Sequence, residues 1–444
     1  MNNQDKYNTL KQKYKKIIYK SYSYIIKEDV IEINYHFEIE HLCIFNPKWT
    51  INRLSDYNDF NINKVENLIF NLGMVELVSY YKAVCCNDIE IQCAYLSNKQ
   101  IEFYKKLYMN GLGEFFYING IDPNTVNMNI YSTKTISNFN IDNEAKNNNK
   151  VLVPVGGGKD SVVSIELLKN KFDITCYIIN PRLATNECFT NSNVKNKLIV
   201  KRELDKTLIQ LNNQGYLNGH TPYSAIVAFS SVLSAYINGI SYVALSNEDS
   251  ANESTIVGTN INHQYSKSFE FEQDFINYHK EFINTNVDYF SLLRGYSESK
   301  IASIFSKHTQ YHNVFKSCNV GSFTDIWCGN CPKCLFVYII LSPFLTKEQL
   351  FNIFNKNLLD DKSLIEDFLK LCGILPEKPF ECVGSIEEVN ASIQYTIENY
   401  KGKLPNLLQY YKDNYKGNKY DIKDILNEFN NTNAIPELFK GVLL

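Results

Sequence analysis

The chain has 444 residues, 44% of them hydrophobic and 21% charged, with a formal net charge of -3. That length fills two or three domains of about 150 residues each, and the absence of a basic excess argues against a broad electrostatic grip on nucleic-acid phosphates. No run of about 18 apolar residues could span a bilayer and no secretory leader pattern opens the chain, so a cytoplasmic protein acting on small molecules is expected, with no membrane partner.

The lysine- and tyrosine-rich residues 6–20 are weakly periodic and read as a surface helix or a loose lead-in. Between residues 30 and 51 the run V-I-E-I-N-Y-H-F-E-I-E alternates with period two, the pattern of a half-buried strand. Residues 64–84 have apolar positions at helical spacing, interrupted by Gly73, and residues 98–109 predict another helix before the G-L-G turn. The stretch 138–150 mixes asparagine and charge without any apolar period and reads as a linker.

After it, V-L-V-P-V predicts a strand buried in a parallel sheet, and the residues beyond the glycines predict a helix. Two further strands are expected at residues 174–179, ending at N-P-R, and 242–246, ending at N-E, with helical patterns between them. Beyond residue 346 the pattern is helical. The expected class is α/β: an N-terminal α+β domain over residues 1–145, a parallel-sheet domain over 146–345, and a helical region over 346–444. In such a sheet, ligands sit outside the strands' carboxyl ends.

Two motifs carry chemistry. In V-P-V-G-G-G-K-D-S-V, residues 153–162, Gly156, Gly157 and Gly158 lie between a strand and a helix N-terminus. There the backbone can approach phosphate, and the first free N–H groups attract it. Lys159 adds a point charge, Asp160 can hold magnesium or cap the helix, and Ser161 offers a hydroxyl. The spacing fits neither the Walker loop nor the dinucleotide fingerprint. In the second motif, Cys318, Cys328, Cys331 and Cys334 have the spacing of a closed thiolate shell. Zinc is expected there in a structural role, with an iron–sulfur cluster as the competing occupant.

The glycine loop resembles the S-G-G-x-D-S loop of the ATP pyrophosphatases, except that Gly156 stands where that class usually has serine, so one hydroxyl donor to pyrophosphate is missing. Loop and knot together also resemble the deazaguanine nitrile synthases. Further segments are L-G-M-V-E-L-V-S-Y-Y-K-A from Leu72, G-L-G-E-F-F-Y-I-N-G-I from Gly111, N-G-H-T-P at Asn218, N-H-Q-Y-S-K-S-F-E-F-E at Asn262 and K-P-F-E-C-V-G from Lys378. With these, the chain resembles the family of ATP-dependent epimerases that convert UDP-N-acetylmuramoyl-L-alanyl-L-glutamate to its D-glutamate form in peptidoglycan synthesis.

That resemblance implies a sheet of the adenine-nucleotide α-hydrolase type. It also implies cleavage of ATP to AMP and pyrophosphate with magnesium, an acyl-adenylate, and proton exchange at the glutamyl α carbon. The alternative is a pyrophosphatase-loop ligase or amidating enzyme acting on another carboxylate. Expected nucleotide contacts are Gly156, Gly157, Gly158, Lys159, Asp160, Ser161, Asn180 and Glu248. Catalytic candidates are Asp160, Lys159, His220, His263 and Lys267. Cys188 is also of suitable type, though a buried apolar role fits it better. Arg182 and Lys267 could meet the substrate's γ carboxylate or diphosphate.

Overall fold

The structure is a computed structural model describing residues 3–54, 57–137, 139, 141–144, 148–252 and 265–443, apart from the Phe323 side chain. Its strands are β1 (Lys16–Ile26), β2 (Val30–Ile39), β3 (Cys43–Phe45), β4 (Lys48–Asn52), β5 (Asp88–Ile91), β6 (Asn129–Ser132), β7 (Val151–Pro154), β8 (Ile174–Ile179), β9 (Asn196–Glu203), β10 (Tyr242–Leu245) and β11 (Asp288–Ser291). They form one 11-stranded sheet in the order β11-β10-β7-β8-β9-β4-β2-β1-β5-β6, with β3 paired to β2.

The sheet has two halves. From β11 to β9 all neighbours are parallel, joined by crossovers that include the helices Lys159–Leu168, Leu183–Ser192 and Tyr223–Ile237. The chain builds outward from β7 through β8 to β9, then returns to the other side of β7 with β10. A crevice therefore opens at the carboxyl ends of β7 and β10, where such sheets hold ligands. The second half begins where β4 pairs antiparallel with β9, Thr50 opposite Lys201. The sheet thus continues unbroken across residue 145.

Ion pairing reinforces that seam. Arg202 of β9 donates through Nε and Nη2 to Glu76 at 2.8 and 3.0 Å, and Trp49 of β4 donates to the same carboxylate at 3.2 Å. Glu76 lies on the helix Ile62–Tyr81, which is buried on nearly every side. This helix runs through Gly73 without a break. A Cβ there would lie 2.0 Å from Tyr19 Oη, so the glycine serves a close approach to β1 rather than ending the helix.

Several expected elements differ. Residues 6–20 are not a lead-in: the helix Asn3–Lys13 is followed by β1, which lies between β2 and β5. Its repeated tyrosines, such as Tyr19, Tyr22 and Tyr24, supply apolar rings with hydroxyls, and they hid the strand from a polarity count. The alternating tract 30–51 folds back as β2, β3 and β4, while β5, β6, β9 and β11 lie where the sequence pattern predicts no strand. Residues 139, 141–144 and 148–150 form no helix or strand, as expected for the linker. Beyond residue 346 only helices and short turns occur among the described residues, and no helix there or elsewhere among them is long and apolar enough to cross a membrane.

His279, on the helix Phe269–Phe282, is buried with its Nε2 2.8 Å from Thr285 Oγ1. Burial, and then the Lys64 charge, pull its pKa down to about 4. As the pH falls from the ordinary histidine value of about 6.5 towards 4, the unfolded chain takes up a proton that the folded chain refuses. Stability should therefore drop by about 3 kcal/mol across this window. Urea melts between pH 7 and 4 should show this component for the wild type and lack it for His279→Gln.

Candidate active site

The glycine loop occupies the crevice. β7 ends at Pro154, Gly158 precedes the first turn of Lys159–Leu168 in extended conformation, and no side chain caps that helix start, so its first N–H groups face the loop. Gly157 has φ +85°, and a Cβ on it would lie 3.3 Å from Ala184 Cβ and from Thr185 N. Gly157→Ala should therefore lose about 1–2 kcal/mol in urea melts.

Around the loop the chain supplies cations and one unsatisfied hydroxyl. Arg182 donates to Gly156 O at 3.1 Å and to Ser322 O at 3.0 Å, closing over the turn from the helix that follows β8. Lys316 N donates to Gly157 O at 2.8 Å. Beside it, Ser317 lies against Gly158, with its buried Oγ lacking a hydrogen-bond partner among the described residues. Ser161 Oγ turns back to Gly158 O at 3.0 Å.

Behind the loop lies a charge cluster. The buried Lys159 ammonium bonds both Asp160 and Glu298, the latter from the helix Glu298–Phe305. Burial would raise the Asp160 carboxyl, but Lys159, with Lys333 and Lys267 beyond it, brings it below the ordinary value. Glu298 is pushed the other way, to about 7, because burial and the charges of Asp160 and Glu248 outweigh Lys159. The cluster thus sets two carboxyl groups with opposite shifts around one buried ammonium, an arrangement frequent at reaction sites.

Arg294 fixes the next wall. Fully buried just after β11, it donates to Glu272 Oε2 at 2.9 and 3.2 Å, to the Glu248 carbonyl at 2.6 Å and to the Lys267 carbonyl at 2.5 Å. One guanidinium therefore ties the carboxyl end of β10 to the tract preceding Phe269–Phe282. Lys267, so anchored, donates from Nζ to Cys382 Sγ at 3.0 Å. Burial would depress its ammonium, but Cys382, Glu248 and Asp160 hold it well above the ordinary lysine value. Lys333 donates to the Cys382 carbonyl, and burial carries neighbouring Glu381 to about 7.

The remaining wall comes from the N-terminal half. Lys82 donates to Gly219 O at 2.5 Å and to Thr221 Oγ1 at 3.0 Å, and Asn119 donates to Asn218 O at 3.1 Å, so two N-terminal segments grip the N-G-H-T-P turn. His220 then sits with Nδ1 3.0 Å from Glu114 Oε2. This wall meets the Cys382 segment: the Tyr117 and Phe380 rings are 4.9 Å apart, and the Glu114 charge reaches Glu381.

The four knot cysteines place their sulfurs within 4.8 Å of one another, with neighbours at 3.5, 3.7 and 3.8 Å. A tetrahedral zinc with Zn–S bonds of about 2.3 Å sets its sulfurs about 3.8 Å apart. Gly321 N points at Cys318 Sγ from 3.1 Å, and such N–H donors orient and stabilise thiolate ligands. The spacing suits one ion. A four-iron cluster puts its own iron and sulfide atoms between the thiolates and holds them further apart. The knot also braces the site: Asp325 accepts from Leu183 N and Ala184 N, both at 3.1 Å, capping the helix beside the glycine loop.

Of the residues singled out from sequence, Gly156, Gly157, Gly158, Lys159, Asp160, Ser161, Glu248 and Lys267 come together here, with His220 on the adjoining wall. Asn180 directly follows β8, but its side chain bonds both ways to the Arg202 backbone, at 2.9 Å each. His263 lies outside the described residues. Cys188 is fully buried, its thiol raised to about 12 by burial, as fits an apolar filler. Sequence reasoning missed Glu114, Arg294, Glu298, Ser317, Lys333, Glu381 and Cys382. Glu114, Glu381 and Cys382 stood inside quoted segments, and Ser317 and Lys333 are next to knot cysteines, whereas Arg294 and Glu298 had no motif to mark them.

Fold and site together define an α/β protein with a glycine loop of anion-binding geometry at the switch point of a parallel half-sheet. The sequence matches the MurL N-terminal domain over residues 8–292 and the MurL C-terminal domain over residues 314–421. It is 36% identical over 338 residues to the UDP-N-acetyl-alpha-D-muramoyl-L-alanyl-L-glutamate epimerase of Xanthomonas oryzae pv. oryzae, covering 74% of each chain. The epimerases of the same name from Salinispora tropica and a Micromonospora species are each 34% identical, over 71% and 77% of this chain and 70% and 77% of their own. The chain therefore belongs to the UDP-N-acetyl-alpha-D-muramoyl-L-alanyl-L-glutamate epimerase family. No solved structure matches it.

Proposed function

We propose that this protein is a cytoplasmic ATP-dependent epimerase of peptidoglycan synthesis that inverts the terminal L-glutamate of UDP-N-acetylmuramoyl-L-alanyl-L-glutamate through an acyl-adenylate, releasing AMP and pyrophosphate. The observation that carries the reading is the convergence of the glycine loop, the Lys159–Asp160–Glu298 cluster and the Lys267 and His220 walls on one crevice. That gathering supplies candidates for both phosphate activation and proton transfer.

The order of steps follows from charge. Removing the α proton beside a free carboxylate would place two negative charges on neighbouring atoms. Joining that carboxylate to AMP removes one of them and acidifies the proton. The pyrophosphate would lie on the N–H groups of Gly157 and Gly158, with the Ser317 hydroxyl supplying the donor that Gly156 lacks. Arg182 and Lys316 add positive charge beside it. Asp160 and Glu248 offer the oxygen donors that magnesium takes, and a magnesium ion held there would neutralise phosphate charge. Proton removal and return at the α carbon need acid–base groups on its two faces, for which the proposed candidates are His220, His263 and Lys267. The proposed knot zinc is structural, and the proposed units are residues 1–145, 146–345 and 346–444, with nucleic acid not among the partners.

The test is incubation of the purified protein with ATP, magnesium and the muramoyl dipeptide in deuterated water. Formation of AMP together with D-glutamate deuterated at its α carbon is expected. AMP without inversion would instead favour the ligase reading.

A further inference from the structure

We propose that Cys382 is one of the two groups that exchange the α proton, with Lys267 as the cation that holds its sulfur as thiolate; this rests on the epimerase reading above. Three observations meet at this sulfur. Lys267 Nζ donates to it at 3.0 Å, the arrangement that favours thiolate over thiol. The backbone carrying it is held from the other side by Lys333, which bonds the Cys382 carbonyl. The same Lys267 is under the charges of Glu248 and Asp160, so the Lys267–Cys382 pair lies beside the Lys159–Asp160 end of the site.

Among the described cysteines outside the knot, Cys85, Cys86, Cys176, Cys188 and Cys372 are buried and Cys43, Cys93 and Cys382 are partly open; of these three it is Cys382 that accepts from a lysine. Its Lys267 contact pairs an accessible sulfur with a cation inside the crevice. A polarisable sulfur beside the Lys267 ammonium suits proton removal from a carbon acid already acidified by adenylation.

The step balances without any further reagent. The Cys382 thiolate takes the α hydrogen as a proton, forming S–H, and the C–H electron pair moves into the acyl group as an enolate. A second group on the other face then gives a proton to the α carbon, restoring the carbonyl in the inverted configuration. His220, with Glu114 on Nδ1 and Nε2 left for the substrate, is available for this. Afterwards the thiol releases its proton to water and His220 takes one up, so solvent hydrogen enters the product.

The experiment compares full-length wild type, Cys382→Ala and Cys382→Ser in deuterated water with ATP, magnesium and UDP-N-acetylmuramoyl-L-alanyl-L-glutamate. AMP release, glutamate configuration, α-deuterium content and urea melting are followed together. In Cys382→Ala, inversion should fall by about a hundredfold or more, the scale of a lost acid–base group, while AMP release stays within about threefold and the melt is unchanged. Should the alanine variant fail to fold, Cys382→Ser must show the same split. Iodoacetamide treatment of folded wild type, with the label mapped to Cys382, must show it as well. Inversion within about tenfold of wild type in Cys382→Ala, or parallel loss of AMP release and inversion, overturns the proposal. Wild type that neither releases AMP nor inverts glutamate removes the epimerase reading itself, a result distinct from either of those.

Discussion

A chelator that strips the metal from Cys318, Cys328, Cys331 and Cys334 is expected to collapse the crevice and not merely slow its chemistry. Structural zinc of this kind contributes on the order of 10 kcal/mol to folding. Here the ligand-bearing segment reaches well beyond its own loop. Through Lys316 N it holds the Gly157 carbonyl, through Ser317 it packs against Gly158, and through Asp325 it caps the helix after β8. Cys334 lies in the first turn of the buried helix Pro332–Leu341, so an ion held there would also anchor a core element. Metal analysis should find one zinc per chain. After chelation, or in Cys331→Ser, near-ultraviolet circular dichroism and protease resistance should be lost over the site. A chelated protein that melts like the untreated one would refute this.

The second large effect is expected at Arg294. Its guanidinium is fully buried and serves Glu272, two backbone carbonyls and Ser291 Oγ. Replacing it with alanine leaves the Glu272 carboxylate buried without its counter-charge, a loss of about 3–5 kcal/mol. Arg294→Lys keeps the charge but not the planar fork, so it should recover only part of that. Arg294→Met combined with Glu272→Gln should be more stable than Arg294→Met alone, because the uncompensated charge is gone. Urea midpoints of the four variants decide the matter. Activity should fall in all of them, since the same guanidinium holds the carbonyls of Glu248 and Lys267.

The strand–turn–helix context of Gly156 to Ser161 and the gathering of the four knot cysteines depend on local spacing and were legible in the sequence. Partners brought in from far along the chain were not legible. Glu298 meets Lys159 across 139 positions, and Cys382 meets Lys267 across 115. No local periodicity reports such meetings; only the crossovers of the sheet create them. β9 is hard to read because it is half-exposed and ends in the charged run K-R-E, and β5, β6 and β11 because each is a four-residue run broken by polar residues, D-I-E-I, N-I-Y-S and D-Y-F-S, unlike the apolar Y-V-A-L of β10. The joining of the two halves into one sheet depends on β4 meeting β9, which neither strand advertises by itself.

That junction also bears on how the protein is made. β4 leaves the ribosome long before β9 exists, and until then the backbone groups of β4 that will face β9 have no partner. Pairing so distant in sequence forms slowly, and an unpaired strand edge invites association with other chains. The nascent N-terminal half should therefore be a client for chaperones until residue 203 has emerged, and truncation just before β9 should yield an insoluble product.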